Sequence, residues 1–297
     1  MSHGRLIHVV DVTAGDDDTF DALGVKADIV GRTDGFWERQ RLSLRIRAGE
    51  PDVVVAWSEN ACRAALAARS TMRVGKVFYR PSPQARRPVS EGIALCHSPV
   101  QHEALGGHVL PRPVPKLDRI SLSDNVFRWL LPNDASGHVD LRTAIWAGAL
   151  VRLAARSEGR AVRLVLPPST RWPFAQARRF ADQLGIPNLV EPWHATSFVE
   201  AARRCDGLAC TPTGPCDTWP VRLARQFGLA IASTPAADVR EAAGEAEVFE
   251  AESSQVRHVA KAMLHATNHA KPPKPSRDAT RDAASVREAF AEIVHSN

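Results

Sequence analysis

The stretch from Arg203 to Gly244, RRCDGLACTPTGPCDTWPVRLARQFGLAIASTPAADVREAAG, constrains the fold of this chain more than any other. Asp206-Gly-Leu-Ala-Cys-Thr211 is a short apolar run that breaks into a Pro/Gly/Cys loop, Thr211 to Asp217. A helical segment follows, with apolar positions at Val221, Leu223, Ala224 and Phe227, and stops at Gly228. Leu229 to Ser233 is a second apolar run, then come a turn at Pro235 and a helix around Val239 to Ala243. Two short apolar runs separated by one helix predict a βαβ unit with parallel strands. Ligands of such sheets bind beyond the carboxyl ends of the strands. The loops Thr211–Asp217 and Thr234–Asp238 are therefore expected side by side on a binding face.

The same alternation runs through the whole chain. In the first half, Arg5–Val12, Ala27–Gly31, Asp52–Trp57, Lys76–Tyr79, Ile93–Cys96 and His108–Leu110 read as strands, with helices at Phe20–Leu23 and Phe36–Ala48 and from Ser58 to Arg69. Ser98 reads as the cap of a further helix with Pro99 at its first position. Near-continuous apolar strands are what a parallel sheet covered on both faces requires. Pro111-Arg-Pro-Val-Pro115 is a stiff linker, because each proline fixes φ. The second half repeats the pattern: strand Phe127–Leu131, helix Leu141–Ala155, strand Ala161–Leu166, helix Trp172–Leu184, a strand from Leu189 and helix Ser197–Arg204. After the organising stretch come a strand at Glu247–Phe249, a helix at Val256–Ala266, the linker Lys271–Pro275 and an amphipathic helix, Thr280–Val294. The expected fold class is α/β, with two doubly wound Rossmann-like domains: residues 1–115, residues 116–275, and a C-terminal helix, 276–297, packing back toward the first.

At 297 residues, about two domains of ordinary size are expected. No apolar run reaches the ~20 residues of a membrane span, and the N-terminus has no signal-peptide pattern, so the expected location is cytoplasmic. The net charge of +5 is carried by arginine, only six of the 38 basic residues being lysine. These residues are scattered over amphipathic helices, and a single tyrosine leaves no stacking platform, which argues against nucleic acid. Five cysteines, an odd number, read as reduced thiols, and the spacing of Cys205, Cys210 and Cys216 fits no zinc pattern. No metal and no cofactor are expected.

With these elements in order, several segments resemble the GT-B glycosyltransferases, and within them the family-4-type retaining enzymes. Pro51-Asp-Val-Val-Val-Ala56 is similar to the family's PDVVH strand, and Ala94-Leu-Cys-His-Ser-Pro99 to the strand end before its linker. Arg163-Leu-Val-Leu-Pro-Pro168 and Leu184-Gly-Ile-Pro-Asn-Leu-Val190 resemble LVIVG…LGLxDxV. Cys205 to Pro212 resembles ADVLVxPS, Gly228 to Ser233 resembles GLPVVAS, and Asp238-Val-Arg-Glu241 resembles GxxE. The resemblance implies two Rossmann-like domains facing across a cleft and transfer of a sugar, with retention, from a nucleotide-diphosphate sugar to a small-molecule or glycan acceptor. It places the donor against Asn133, His138, Arg171, Trp193, Thr211, Asp217, Thr218 and Arg222, the acceptor near Asp16 and Arg80, and catalytic roles on His97 and Glu241.

The same alignment departs from the family where its chemistry lies. The two glutamates of the family, read without gaps, fall on Pro215 and Leu223. Asp217-Thr-Trp-Pro220 matches the first only if two residues are deleted, and His138 stands where a basic residue belongs. Three functions therefore stay open: a working glycosyltransferase, a GT-B homologue that has lost catalysis and serves as a binding or scaffolding protein, and an epimerase of the same architecture using Glu241 with His97. Single residues also keep two readings. Asp217 holds a ribose hydroxyl or caps the next helix. Arg222 and Arg225, three apart on one helix face, clamp a phosphate or form surface ion pairs. The aspartates 16–18 form a sugar or cation site or simply an acidic helix start. Trp193 and Trp219 stack on a base or belong to the core.

Overall fold

The computed structural model of the chain describes residues 6–9, 35–49, 51, 53–56, 58–69, 76–81, 85, 87–96, 99–110, 114, 117–120, 122, 124–132, 139–157, 159–166, 174–192, 198–214, 216–269 and 279–295. It divides into two compact units, Met1–Pro115 with Thr280–Asn297, and Lys116–Ala279. The expected helix Phe20–Leu23, the strand Ala27–Gly31 and the linker Lys271–Pro275 lie outside the described residues.

The first unit contains a parallel sheet of β1 (Leu6–Val9), β2 (Val53–Ala56), β3 (Lys76–Tyr79), β4 (Ile93–Cys96) and β5 (His108–Val109), paired in that order. Helices α1 (Phe36–Gly49), α2 (Glu59–Arg69) and α3 (Pro99–Leu105) connect them. Alternate side chains of each strand point to opposite faces, so both faces must be covered. On one, Val54, Ala56, Val77, Tyr79, Ala94 and Cys96 meet Leu42, Ile46, Ala61 and Ala65 from α1 and α2. On the other, Val55, Phe78, Leu95 and Leu110 meet Val286 and Phe290. Those last two residues come from α10 (Ala279–His295), the end of the chain. The first unit is thus closed by a helix more than 160 residues away in sequence from its last strand.

The second unit holds six parallel strands in the order β11-β10-β9-β6-β7-β8. They are β6 (Val126–Leu130), β7 (Ala161–Leu166), β8 (Val190–Pro192), β9 (Gly207–Cys210), β10 (Ala230–Ser233) and β11 (Val248–Glu250). The helices are α4 (Leu141–Arg156), α5 (Phe174–Gln183), α6 (Phe198–Ala202), α7 (Trp219–Phe227), α8 (Ala237–Ala243) and α9 (Val256–His269). Counted within the unit, the order is the doubly wound 3-2-1-4-5-6, and its direction of winding reverses between β6 and β9. The βαβ unit read from the sequence is β9-α7-β10, in register from Ala230↔Gly207 to Ser233↔Cys210. Gly228 ends α7 in the left-handed conformation, φ 64°, and Leu229 N–H reaches Ala224 O at 2.8 Å, which lets the chain turn straight into β10.

Packing explains a second glycine. A Cβ on Gly207 would stand 2.6 Å from the ring of Trp129, which is fully buried and donates its indole N–H to Thr267 Oγ1 at 3.3 Å. The ring fills the space that the missing side chain leaves between β6, β9 and α9. A partly buried network closes the opposite end of the sheet. Asp206 accepts from Arg128 N at 2.8 Å and from Arg119 at 2.5 Å, while Arg128 makes two bonds to Asp124 at 2.7 and 2.6 Å. Arg203 Nε donates to Asp118 O at 2.6 Å, so the segment entering this unit is tied to it before β6 begins.

Phe290→Ala is expected to cost about 3 kcal/mol, the usual loss for emptying a buried aromatic site. Glu288→Ala, exposed on the same helix, is expected to stay within about 0.5 kcal/mol. Urea unfolding of the whole chain measures both, and equal effects would remove α10 from the core of the first unit.

Candidate functional site

The crevice of a doubly wound sheet opens where the winding reverses, because neighbouring connections there leave to opposite faces. In the second unit this lies beyond the carboxyl ends of β6 and β9. The residues that follow those strands are cross-linked. Asp140 N–H donates to Thr211 O at 2.8 Å, and Thr211 Oγ1 donates back to Asp140 O at 2.8 Å. Val139 and Pro212 form an antiparallel bridge beside them. Asp140 also caps α4, accepting from Thr143 N at 3.1 Å and Thr143 Oγ1 at 2.7 Å. Thr234, after β10, donates its N–H to Cys210 O at 3.1 Å and its hydroxyl to Pro212 O at 3.4 Å. Three loops are thus held as one rim, and their buried polar groups are paired, as burial demands.

The sequence-derived donor residues divide in three. Asn133, His138, Arg171 and Trp193 lie outside the described residues, as do Asp16 and His97. Thr211, Asp217, Thr218 and Arg222 are brought to the rim or the helix that starts from it. Thr211 and Thr218 are buried, at 1% and 5% exposure, so Thr211 acts as a tie rather than an open hydroxyl. Asp217 accepts from Trp219 N at 3.0 Å, the capping role among its two readings. With that bond made, Pro220 lacking an N–H and Val221 N bonded to Thr218 O at 3.1 Å, the first turn of α7 has spent its donors internally. An anion there has to be met by side chains. Trp219 is 6% exposed and stacks on Phe198 with ring centroids 5.7 Å apart, which is the core reading.

Arg222 and Arg225 share a helix face but part company along the axis. Arg222 stands near enough to Glu241 on α8 to pull its pKa down, whereas the Arg225 guanidinium lies over Gly244, where an added Cβ would be 3.1 Å from it. Arg225 therefore stands nearer the C-terminal end of α7 and of α8 than Arg222 does. Glu241 carries a raised pKa, chiefly from burial and then from the neighbouring carboxylate of Asp238. Asp238, 8% exposed in the first turn of α8, is raised by burial and held partly in check by the N–H of Cys216, which its carboxylate accepts. This acid locks the loop between β9 and α7 to α8. In the first unit, Arg80 is 4% exposed and donates to Leu110 O at 2.8 Å, joining the ends of β3 and β5.

Asp140 is not singled out in the sequence, and Thr234 is placed there only as the start of a binding-face loop. An Asp three residues before a Thr at a helix start is a capping signal, but its pairing with Thr211 spans 71 residues and has no local trace. No disulfide joins the five cysteines. Burial pushes the Cys62 thiol up to about 12 and Cys96 to about 11, which keeps both protonated and unreactive near neutrality. Among the described residues no group of three metal-ligating side chains converges.

Asp238 gives a pH test. Its folded carboxyl binds its proton more tightly than an unfolded one, so its contribution to stability is full below the ordinary 3.8 and is lost as pH rises through the raised value. Asp238→Asn, which keeps an acceptor for Cys216, should gain on the wild type as pH is raised from about 4 to about 7. A stability difference independent of pH, measured by urea unfolding, would overturn the buried-acid assignment.

No family model matches the chain, and no curated protein matches it in sequence. Solved structures match it over nearly its whole length. One, a putative UDP-N-acetylglucosamine 2-epimerase from Listeria monocytogenes, is 13% identical, with 97% of this chain and 96% of that one covered and a TM-score of 0.54. The S. aureus MnaA–UDP co-structure is 12% identical over 97% of each chain, TM-score 0.55. An E. coli trehalose-6-phosphate structure bound with UDP-2-fluoro glucose is 10% identical over 99% and 96%, TM-score 0.57. Identities this low speak for the fold alone. The chain has the GT-B fold, built from two Rossmann-like α/β units.

Proposed function

We propose that the second unit binds a nucleotide-diphosphate sugar against the rim formed by β6, β9 and β10, and that the chain transfers the sugar to an acceptor. The observation that carries this reading is the reciprocal Asp140–Thr211 pairing at the point where the winding reverses, which holds two ligand-facing loops in fixed register. Solved structures of the same fold that contain UDP or UDP-2-fluoro glucose support the ligand class. Within the site, Arg222, whose charge acts on Glu241 of α8, supplies charge to the diphosphate, and Glu241 is the acid available to a sugar or ribose hydroxyl. A raised pKa in such a position is a common mark of a functional group. His97, Asn133, His138, Arg171, Trp193 and Asp16 keep the roles the resemblance gives them as parts of this proposal.

One observation favours the reading in which binding remains and transfer has been lost. Leu223, at the place of the family's second acid, is fully buried in the core of the second unit, so that position points no side chain at a ligand.

Thermal unfolding with a panel of UDP-, GDP- and ADP-sugars and the free nucleotides separates the outcomes. One sugar nucleotide at about a hundredfold excess over its Kd should add about 2.7 kcal/mol to stability. Arg222→Ala should weaken it about tenfold or more, as loss of a charged contact does. Release of nucleoside diphosphate in the presence of acceptor extracts supports transfer, and binding without release supports the non-catalytic reading. No shift with any member of the panel overturns both.

A further inference from the structure

Helix α1 presents an apolar and basic face that neither the fold nor the proposed donor site uses. Its sequence, FWERQRLSLRIRAG, buries only Leu42, Ser43 and Ile46, which pack toward α2, with Ser43 Oγ donating to Ala64 O at 3.1 Å. At 3.6 residues per turn, Trp37, Leu44 and Ala48 fall on the side opposite Leu42 and Ile46. Trp37 is 74% exposed, Leu44 61% and Phe36, at the helix start, 60%. Arg41 and Arg45 flank this stripe on one side and Arg47 on the other, all exposed. Glu38, the helix's acid, has its carboxylate folded back over Gly35 at the N-terminus, away from the arginines. Single exposed apolar residues need no explanation, but Trp37 and Leu44 together at the outward pole of one helix, with Phe36 exposed at its start, do.

We infer that α1 docks on the surface of an anionic lipid bilayer, with Trp37, Leu44 and Phe36 entering the headgroup boundary and Arg41, Arg45 and Arg47 meeting acidic headgroups. The charge pattern selects this occupant. Arginines beside an apolar stripe match a surface that is negative outside and apolar beneath, and a tryptophan suits the boundary between them. A nucleic acid would draw on the arginines but leave the exposed leucine unexplained. The geometry is interfacial: 14 residues make a helix about 21 Å long, shorter than the ~30 Å hydrocarbon core. No helix among the described residues is long and apolar enough to cross a membrane.

Flotation of the full chain with phosphatidylcholine vesicles, alone or containing about one third phosphatidylglycerol, tests the inference. Binding is expected to the anionic vesicles only, and to fall in about 0.5 M salt. Arg41→Gln with Arg45→Gln should weaken it roughly 30-fold, two surface charges being removed. Trp37→Ser with Leu44→Ser should weaken it even at low salt, while Arg257→Gln, on α9 of the other unit, should leave it unchanged. Unaltered thermal unfolding of the α1 variants keeps a loss of binding from meaning a loss of fold. Failure to float with anionic vesicles, equal binding to neutral ones, or wild-type binding by both double variants would overturn the inference. So would a self-associated chain in sedimentation that Leu44→Ser dissociates, which would give the face to a second copy.

Discussion

The reversal of winding beside β6 is the constraint on which the second unit depends. A parallel sheet must be covered on both faces, so its crossovers divide between them. Where the division falls, the chain leaves an opening that its own backbone does not fill. Here the sides of that opening are stitched by the paired main-chain and hydroxyl bonds of Asp140 and Thr211, with Thr234 extending the stitch to β10. The polar groups of three loops are thus satisfied by one another, which frees the rim from needing a ligand to fold. A preformed rim lowers the ordering cost of binding.

How much of this was legible depends on the range of each interaction. The strands announced themselves as apolar runs because burial on both faces leaves no room for alternation, and β9-α7-β10 was readable to within a residue or two. Gly228 was readable as a stop because only glycine enters the left-handed turn without strain. Asp217 kept two readings in the sequence, and its bond from Trp219 N is the one a role at the helix start calls for. What the sequence could not carry is pairing at a distance between particular residues: Asp140 with Thr211 and Trp129 with Gly207. Spacing alone left Arg222 and Arg225 with two readings. Three residues bring two side chains to one face but move the second about 4.5 Å down the axis, enough to carry Arg225 onto Gly244.

Electrostatics at the rim runs opposite to what a simple anion site would show. The donors at the start of α7 are consumed by Asp217 and the turn, and α8 brings two acids with raised pKa values, Asp238 through burial and Glu241 through desolvation and the Asp238 carboxylate beside it. Such acids are tolerable next to a diphosphate only if one is neutral, hydrogen-bonded or offset by a cation. Cys216 N–H serves Asp238 in that way and Arg222 serves Glu241. The two acids therefore have separate jobs. Asp238 is locked into the loop as a structural acceptor, whereas Glu241 is more open and has a cation beside it.

The arginine bias of the chain resolves in the same terms. Arg128 and Arg119 are spent on the network around Asp206, Arg80 on a strand-end carbonyl and Arg240 on Glu250 through two bonds. These uses are local and need the planar, many-donor guanidinium rather than net charge. The arginines of α1 differ, because they stand exposed in a row around an apolar stripe. A protein gains no stability from holding Trp37 and Leu44 in water while Leu42 and Ile46 already anchor the helix. Such a face persists at no benefit to the fold, and that is the physical reason for reading it as a surface that meets something outside the chain.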